Sequence, residues 1–223
     1  MDTCESVPEI GESDAAARSR LYQWLSASFA FPTEEFYETV LDGSFVETMR
    51  RFVFSLPYGS ALSFDEPDWD RLSSAPPDYD DLSAEYIRLF DVGIGGGKPP
   101  CTLYGGEYPE RPRLDVMEEL VRFYGFFDLQ LPEQDRELPD HITVELEFMH
   151  YLAYREALAL ERGNDPMSYR RAQADFIRRH LGAWVPVMGG KLVAEKPIPF
   201  FAALVDLTAQ ILRADLAYLT ARA

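Results

Sequence analysis

Apolar residues recur along this chain at intervals of three and four, the spacing that gathers them on one side of an α-helix. After Asp14, placed to cap a first helix, Leu21, Trp24, Leu25 and Phe29 share a face, and Pro32 closes the segment. Thr33 opens a short helix with Glu34 and Glu35 in its first turn and Gly43 at its end. Ser44 to Glu47 has the spacing of a capping box, and Val46, Met49 and Val53 continue as an apolar stripe towards Pro57. The stretch from Pro57 to Pro77 is rich in Pro, Ser and Asp, with Trp69 and Leu72 as its anchors. A helix from Tyr79 carries Leu82, Tyr86, Leu89 and Phe90 and stops at the Gly93 to Pro100 stretch. Leu114, Met117, Leu120, Val121 and Tyr124 define the next, with Gly125 as its cap. A long helix runs from Asp140 to Arg162 and ends at Gly163; Asp165-Pro166 starts another, carrying Tyr169, Ala172, Phe176 and Leu181. A short helix over Trp184 to Val193 follows, and Pro199 opens the last, through Leu204, Leu207, Ile211, Leu212 and Leu219.

Clean two-residue alternation, the mark of a strand, is absent. The pattern predicts an all-α fold: a single helical-bundle domain over 14–223 with about eight or nine helices. A flexible acidic tail over 1–13 precedes it. A long Gly/Pro-rich internal loop, 92–113, interrupts it and can act as a hinge. Loops of this length inside a compact domain usually serve a function. Through that hinge a monomer could exchange segments with a second copy, giving a domain-swapped dimer.

With 223 residues, 47% of them apolar, the chain can bury a sizeable core. The net charge of −17 argues against nucleic acid and anionic membrane surfaces as partners. It favours a basic partner, drawn in by long-range attraction. Much of the acid is local: Asp65, Glu66, Asp68, Asp70, Asp78, Asp80, Asp81 and Glu85 stand against Arg71 alone between Phe64 and Glu85. No apolar run approaches the ~20 residues of a membrane helix. The acidic N-terminus lacks the pattern of a secretory signal, and Cys4 and Cys101 make no disulfide framework. A cytoplasmic location is expected.

The catalytic signatures in the chain are incomplete. The Gly93 to Lys98 run has Val92 where a phosphate loop needs glycine and Pro99 where it needs Ser or Thr. The dinucleotide pattern would need its third glycine at Lys98. Glu147-Phe148-Met149-His150 has the Glu-x-x-His form of carboxylate-bridged di-iron bundles, which need two copies. The residues three before His180 and His141 are Ile177 and Leu138, so no second copy exists. Neither cysteine has a setting that would activate a thiol. The expectation is a protein that is not an enzyme and uses no cofactor and no metal. The alternatives are a helical metal-binding enzyme on the Glu147/His150 face and a scaffold that binds a folded partner.

The head of the long helix, Pro139-Asp140-His141, carries the most chemistry. Asp140 is placed as the N-cap, and His141 as the first helical residue, kept neutral by the positive end of the helix. Three regions then form an ordered set: Glu85-Tyr86-Ile87-Arg88-Leu89-Phe90 with Pro99-Pro100; Pro139-Asp140-His141 with Glu145 to Met149; and His180 to Pro186 leading to Pro199-Phe200-Phe201. In this order they resemble the cytoplasmic redox-enzyme maturation chaperones, the TorD, DmsD and NarJ group, and most closely the branch serving type II enzymes of the dimethyl sulfoxide reductase family. The resemblance spans the chain from first helix to last. It departs after the proline pair, where Cys101-Thr102-Leu103-Tyr104 stands in place of an aromatic or Tyr-Glu-Ser.

The resemblance implies a chaperone that binds the N-terminal, usually twin-arginine, leader of a molybdenum-cofactor oxidoreductase catalytic subunit. It would hold that subunit until cofactor insertion and folding are complete. It places leader binding on Tyr86, Leu89, Phe90, Pro99, Pro100, Asp140 and His141. The acidic stretch adds a rim of Asp80, Asp81 and Glu85 beside an aromatic groove, the complement of a basic and apolar leader.

Overall fold

The computed structural model describes residues 13–91, 97–108, 110–129 and 137–222. The acidic tail and the Gly93 to Gly96 part of the hinge loop lie outside them. Two helices form the centre, α1 (Asp14–Ser28) and, further on, α7 (Ile142–Glu161). Between them come α2 (Glu34–Leu41), α3 (Ser44–Phe54), α4 (Glu66–Leu72), α5 (Tyr79–Tyr86) and α6 (Arg113–Phe126). After α7 come α8 (Met167–Arg179), α9 (Leu181–Ala194) and α10 (Pro199–Thr220). Among the described residues no strand forms and extended pairing is confined to isolated bridges such as Tyr104 with His141, so the fold is all-α as predicted.

Small residues let the central pair approach closely. Ala15 and Ala16 of α1 and Ala157 of α7 are buried together as a cluster of their own. The main core is continuous, built from α1, α3, α5, α7 and the faces of α8, α9 and α10. Its aromatic share is large: Phe45 sits 5.5 Å from Phe200, and Phe148 4.8 Å from Phe176, centroid to centroid. His180, which separates α8 from α9, is buried beside Phe123 and Phe176; burial pushes its pKa down to about 4, so it is neutral.

One charged side chain lies at the middle of the bundle. Arg18, fully buried on α1, donates to Asp215 of α10 (2.6 Å) and Glu156 of α7 (2.9 Å), and also to Gln173 of α8. Tyr22 donates to Asp215 (2.6 Å), and Arg170 donates to the other oxygen of Glu156 (2.7 Å). Two guanidinium groups thus face two carboxylates. Burial pushes Glu156 up, but Arg18, Arg170 and Gln173 together hold it below the usual carboxylate range.

Several expected boundaries move by local chemistry. Ser13, not Asp14, caps α1 by accepting from the Ala16 N–H. Thr33 caps α2 as expected, and Gly43 takes the left-handed conformation, φ 82°. Ser44 does not form the predicted capping box, because it is already helical and its N–H donates to Asp42 (2.8 Å). The capping box forms at Asp65 and Asp68 instead, opening α4 inside the stretch read as irregular, with Trp69 and Leu72 buried as anchors. In α6 the buried face is Val116, Leu120 and Tyr124, while Leu114 and Val121 are exposed; Gly125 lies inside the helix rather than after it. Pro166, not Asp165, holds the cap position of α8, and Asp165 accepts from the Met167 N–H (3.0 Å).

Arg18→Ala should cost about 3–5 kcal/mol, because it leaves Asp215 and Glu156 buried without their cation. Urea unfolding at neutral pH measures it. A loss under about 1 kcal/mol, the scale of an exposed ion pair, would show that the bundle does not lean on this network.

Candidate functional site

A cavity of about 720 Å³ opens between α1, the end of α5 and the first half of α7. From α1 and the turn after it come Gln23, Ala27, Ala30 and Phe31. From α5 and the π-helical turn Ile87–Asp91 come Tyr86, Phe90 and Asp91. The α7 wall is the stripe Val144, Glu147, Phe148, His150 and Tyr151, headed by His141. Leu103 and Tyr104 close one end, with Tyr124, Leu129 and Glu137 beside them. The charged residues among these are Asp91, Glu137 and Glu147; every one is an acid.

The aromatic wall is fixed by bonds that face away from the opening. The Tyr86 hydroxyl donates to the Phe29 carbonyl (3.0 Å), leaving its ring against Phe31 (5.4 Å) and Phe90 (5.3 Å). Phe31 remains 47% exposed. Leu89, on the same turn, points into the core, and its carbonyl accepts from the Cys101 N–H (3.0 Å), which pins the loop. Cys101 is itself buried, and burial pushes its thiol up to about 11, so it is not a nucleophile at neutral pH.

The loop after the proline pair crosses the head of α7 as a short bridge. Gly105 N–H donates to the Asp140 carbonyl (2.7 Å) and Ile142 N–H to the Leu103 carbonyl (2.8 Å). This moves the start of α7 by one residue. His141 is the N-cap, its Nδ1 accepting from the Thr143 N–H, and Asp140 precedes the helix. Asp140 is not the predicted cap, because its carboxylate is spent elsewhere. It accepts from Arg113 Nε (2.7 Å) and Nη2 (3.0 Å) and from the Gly106 N–H (3.2 Å), and it is fully buried. His141 is neutral as expected, but mainly through burial, which lowers its pKa. Arg113 lies over the Tyr104 ring (4.6 Å), Tyr104 stands edge-on to His141 (4.9 Å), and the Tyr104 hydroxyl donates to Glu137 (2.6 Å).

Of the residues the sequence singled out, Tyr86, Phe90 and His141 meet in the cavity wall. Asp140 stands behind His141, and Leu89 behind Phe90; Pro99 and Pro100 are half-buried and outside the wall. The predicted rim falls elsewhere. Asp80 and Asp81 are exposed in the first turn of α5, and Glu85 is taken by Arg88 (2.6 Å) and the Ile198 N–H (3.1 Å). The cavity's own acids, Asp91, Glu137 and Glu147, were not singled out as a rim. Glu147 carried a signal all the same, its place on the stripe of α7 shared with His150.

Below the bridge lies a second acid, Glu145, wholly buried. Burial pushes its pKa well above 4.5; Trp184 Nε1 donates to one oxygen (3.3 Å), while the other has no partner among the described residues. Gly105 lies directly over this pair: a Cβ there would come within 2.5 Å of Trp184 Nε1 and 2.8 Å of the Glu145 carboxyl. At Gly106 it would meet Arg113 at 2.6 Å and Asp140 at 2.7 Å.

Residues 58–188 match the family described as nitrate reductase delta subunit, a span that holds α5, the bridge and α7. The chain is 42% identical over 148 residues to the selenate reductase assembly chaperone protein of Thauera selenatis, covering 64% of this chain and 72% of that one. It is 45% identical over 114 residues to the chlorate reductase assembly chaperone protein of Ideonella dechloratans, covering 51% and 58%. It is 33% identical over 201 residues to the perchlorate reductase assembly chaperone protein of Dechloromonas aromatica (strain RCB), covering 90% and 88%.

Glu145 makes stability depend on pH in a set direction. Its folded pKa is above the unfolded value of 4.5, so its contribution is full below that pH and is lost as pH rises towards the folded pKa. Each unit in that window costs about 1.4 kcal/mol. Glu145→Gln keeps an acceptor for Trp184 and has no proton to lose. Its stability relative to the wild type, from urea midpoints, should therefore grow from about pH 5 to about pH 7. A difference that does not change with pH would mean that Glu145 is not held neutral in the fold.

Proposed function

The chain belongs to the nitrate reductase delta subunit family, which takes in the TorD and NarJ group of reductase maturation chaperones, and from that membership we propose that it receives the N-terminal leader of a molybdenum oxidoreductase catalytic subunit in the α1/α5/α7 cavity. Like its relatives it is a chaperone and not an enzyme, and its partner is a reductase. The leader is held in the cytoplasm until the cofactor is in place and the subunit has folded.

The observation that carries this reading is the match of chemistry. A leader joins a basic segment to an apolar one, and the cavity joins Asp91, Glu137 and Glu147 to Phe31, Tyr86, Phe90 and Phe148, with no lysine or arginine among the described residues of its wall. An apolar peptide face laid on the aromatic wall gains from water exclusion, while the acids fix its direction by meeting its basic end. The net charge of −17 draws such a peptide in from a distance.

Asp140 has a different part from the one its position in sequence suggested. Fully buried and bound by Arg113, it holds the bridge and with it the ring of His141. It is a positioning residue, while His141 meets the peptide. Among the described residues no group of three or more His, Cys, Asp or Glu stands together as a metal site, and no helix is long and apolar enough to cross a membrane.

Calorimetric titration with the leader of the reductase catalytic subunit should show saturable binding that weakens as salt is raised. The subunit without its leader should not bind. Phe31→Ala should cost about 1 kcal/mol of affinity, about half the value of burying a whole Phe side chain, since 47% of it is exposed in the free protein. Equal affinity for the subunit with and without its leader would overturn the reading in favour of a scaffold.

A further inference from the structure

The α7 wall holds two histidines whose hydrogen bonds select opposite tautomers. At His141, Nδ1 accepts from the Thr143 N–H (3.4 Å) and lies 2.7 Å from the Thr143 hydroxyl, which can donate to it as well; this pairing puts the ring proton on Nε2. At His150, Nδ1 lies 3.0 Å from the Ser19 carbonyl, which can only accept, so the proton is on Nδ1. The nitrogen of His150 that remains, Nε2, therefore carries a lone pair. Ser19 Oγ, 2.9 Å from Nδ1, accepts a share of the same proton. The cavity wall thus offers an N–H donor at one level and a lone-pair acceptor about 13 Å further along the helix axis.

Glu147 stands one turn before His150 on the same stripe, with Cβ atoms about 5–6 Å apart at this spacing. It is exposed and takes part in none of the ion pairs among the described residues. The other two acids of the wall differ: Glu137 already accepts from the Tyr104 hydroxyl, and Asp91 has no second side-chain acceptor on its own turn, Ile87–Asp91. His141 points independently to a ligand. It is 5% exposed, its ring lines the cavity, and its Nε2–H has no hydrogen-bond partner among the described residues.

We propose that Glu147 and His150 form the receptor for one guanidinium group of the bound leader. The carboxylate takes two of its N–H donors side by side and His150 Nε2 takes a third. The His141 Nε2–H then binds a main-chain carbonyl of the same peptide a few residues away. This rests on the leader reading and deepens it by naming the group recognised. A guanidinium presents donors in a flat fork, which an acid and a lone-pair nitrogen on one helix face can share; an ammonium presents a compact point charge and uses them less fully. The selectivity is thus for arginine over lysine. The Glu-x-x-His pair, which on sequence grounds suggested a metal, has the acceptors of a guanidinium site.

A synthetic peptide with an Arg-Arg pair before an apolar run, and the same peptide with both arginines replaced by citrulline, test this by calorimetry against the wild type and Glu147→Gln. The wild type should bind the arginine peptide at least tenfold more tightly than the citrulline peptide. Glu147→Gln should lose about tenfold for the arginine peptide and less than about twofold for the citrulline one, the loss expected when a charge-assisted pair is removed. Asp70→Asn, an exposed acid on α4 outside the cavity, should change neither by more than about twofold if the effect is local. Saturable wild-type binding that Glu147→Gln leaves unchanged, or that Asp70→Asn weakens equally, would overturn the receptor and leave the leader reading standing. No saturable binding of the arginine peptide to the wild type would overturn both.

Discussion

A guanidinium buried at the centre of a helical bundle is stable only if its neighbours surrender charge and hydrogen bonds to it, and Arg18 obtains both from three other helices. Asp215 on α10, Glu156 on α7 and Gln173 on α8 all converge on it, and Arg170 and Tyr22 balance the remaining oxygens. Desolvation makes each partner costly alone, so the set holds together or fails together. Because it fixes α1 against α7, it also fixes the two helices whose opposite faces form most of the cavity wall. The alanines of α1 let the pair close at the end that carries the network, and the cavity opens towards the other end, beside Phe31 and Tyr86.

A smaller version of the same device sits at the head of α7. Asp140, buried, is answered by Arg113 and a backbone N–H, and the pair clamps the Gly105-Gly106 turn onto the helix. The glycines are needed there because the turn lies against Trp184, Glu145 and Asp140 with no room for a side chain. The clamp leaves His141 at the cap position with one nitrogen engaged and one free. An aspartate next to a histidine thus serves the site through geometry: the acid sets the loop, the loop sets the ring, and the ring faces the cavity.

The distribution of charge follows a related logic. The acids of the sequence are abundant, yet those in the cavity wall are few: Asp91, Glu137 and Glu147 are exposed and stand beside aromatic rings, where a bound peptide that excludes water makes an ion pair count for more than on open surface. The numerous acids of α4 and α5 are exposed or engaged in caps, as Asp65, Asp68 and Asp78 are. They contribute to the long-range attraction of a basic partner and not to its placement.

The all-α architecture, the start of α2 at Thr33, the end of α7 at Gly163 and the anchoring of Trp69 and Leu72 were legible from spacing, because periodicity and local capping act within one or two turns of chain. So was the convergence of Tyr86, Phe90 and His141, through the resemblance of their motifs to a known family. Spacing does not contain the partner of Asp140. That carboxylate looks like a helix cap until Arg113, distant in sequence, takes it, and His141 becomes the cap in its place. Nor does it contain Arg18, whose neighbours lie far along the chain, or the burial of Glu145. The choice among carboxylates was likewise a matter of packing: Asp80, Asp81 and Glu85 are near the aromatic residues in sequence, whereas Asp91, Glu137 and Glu147 are near them in space. Local free energies write the helices, and long-range pairing of buried charge decides which side chains remain free to meet a ligand.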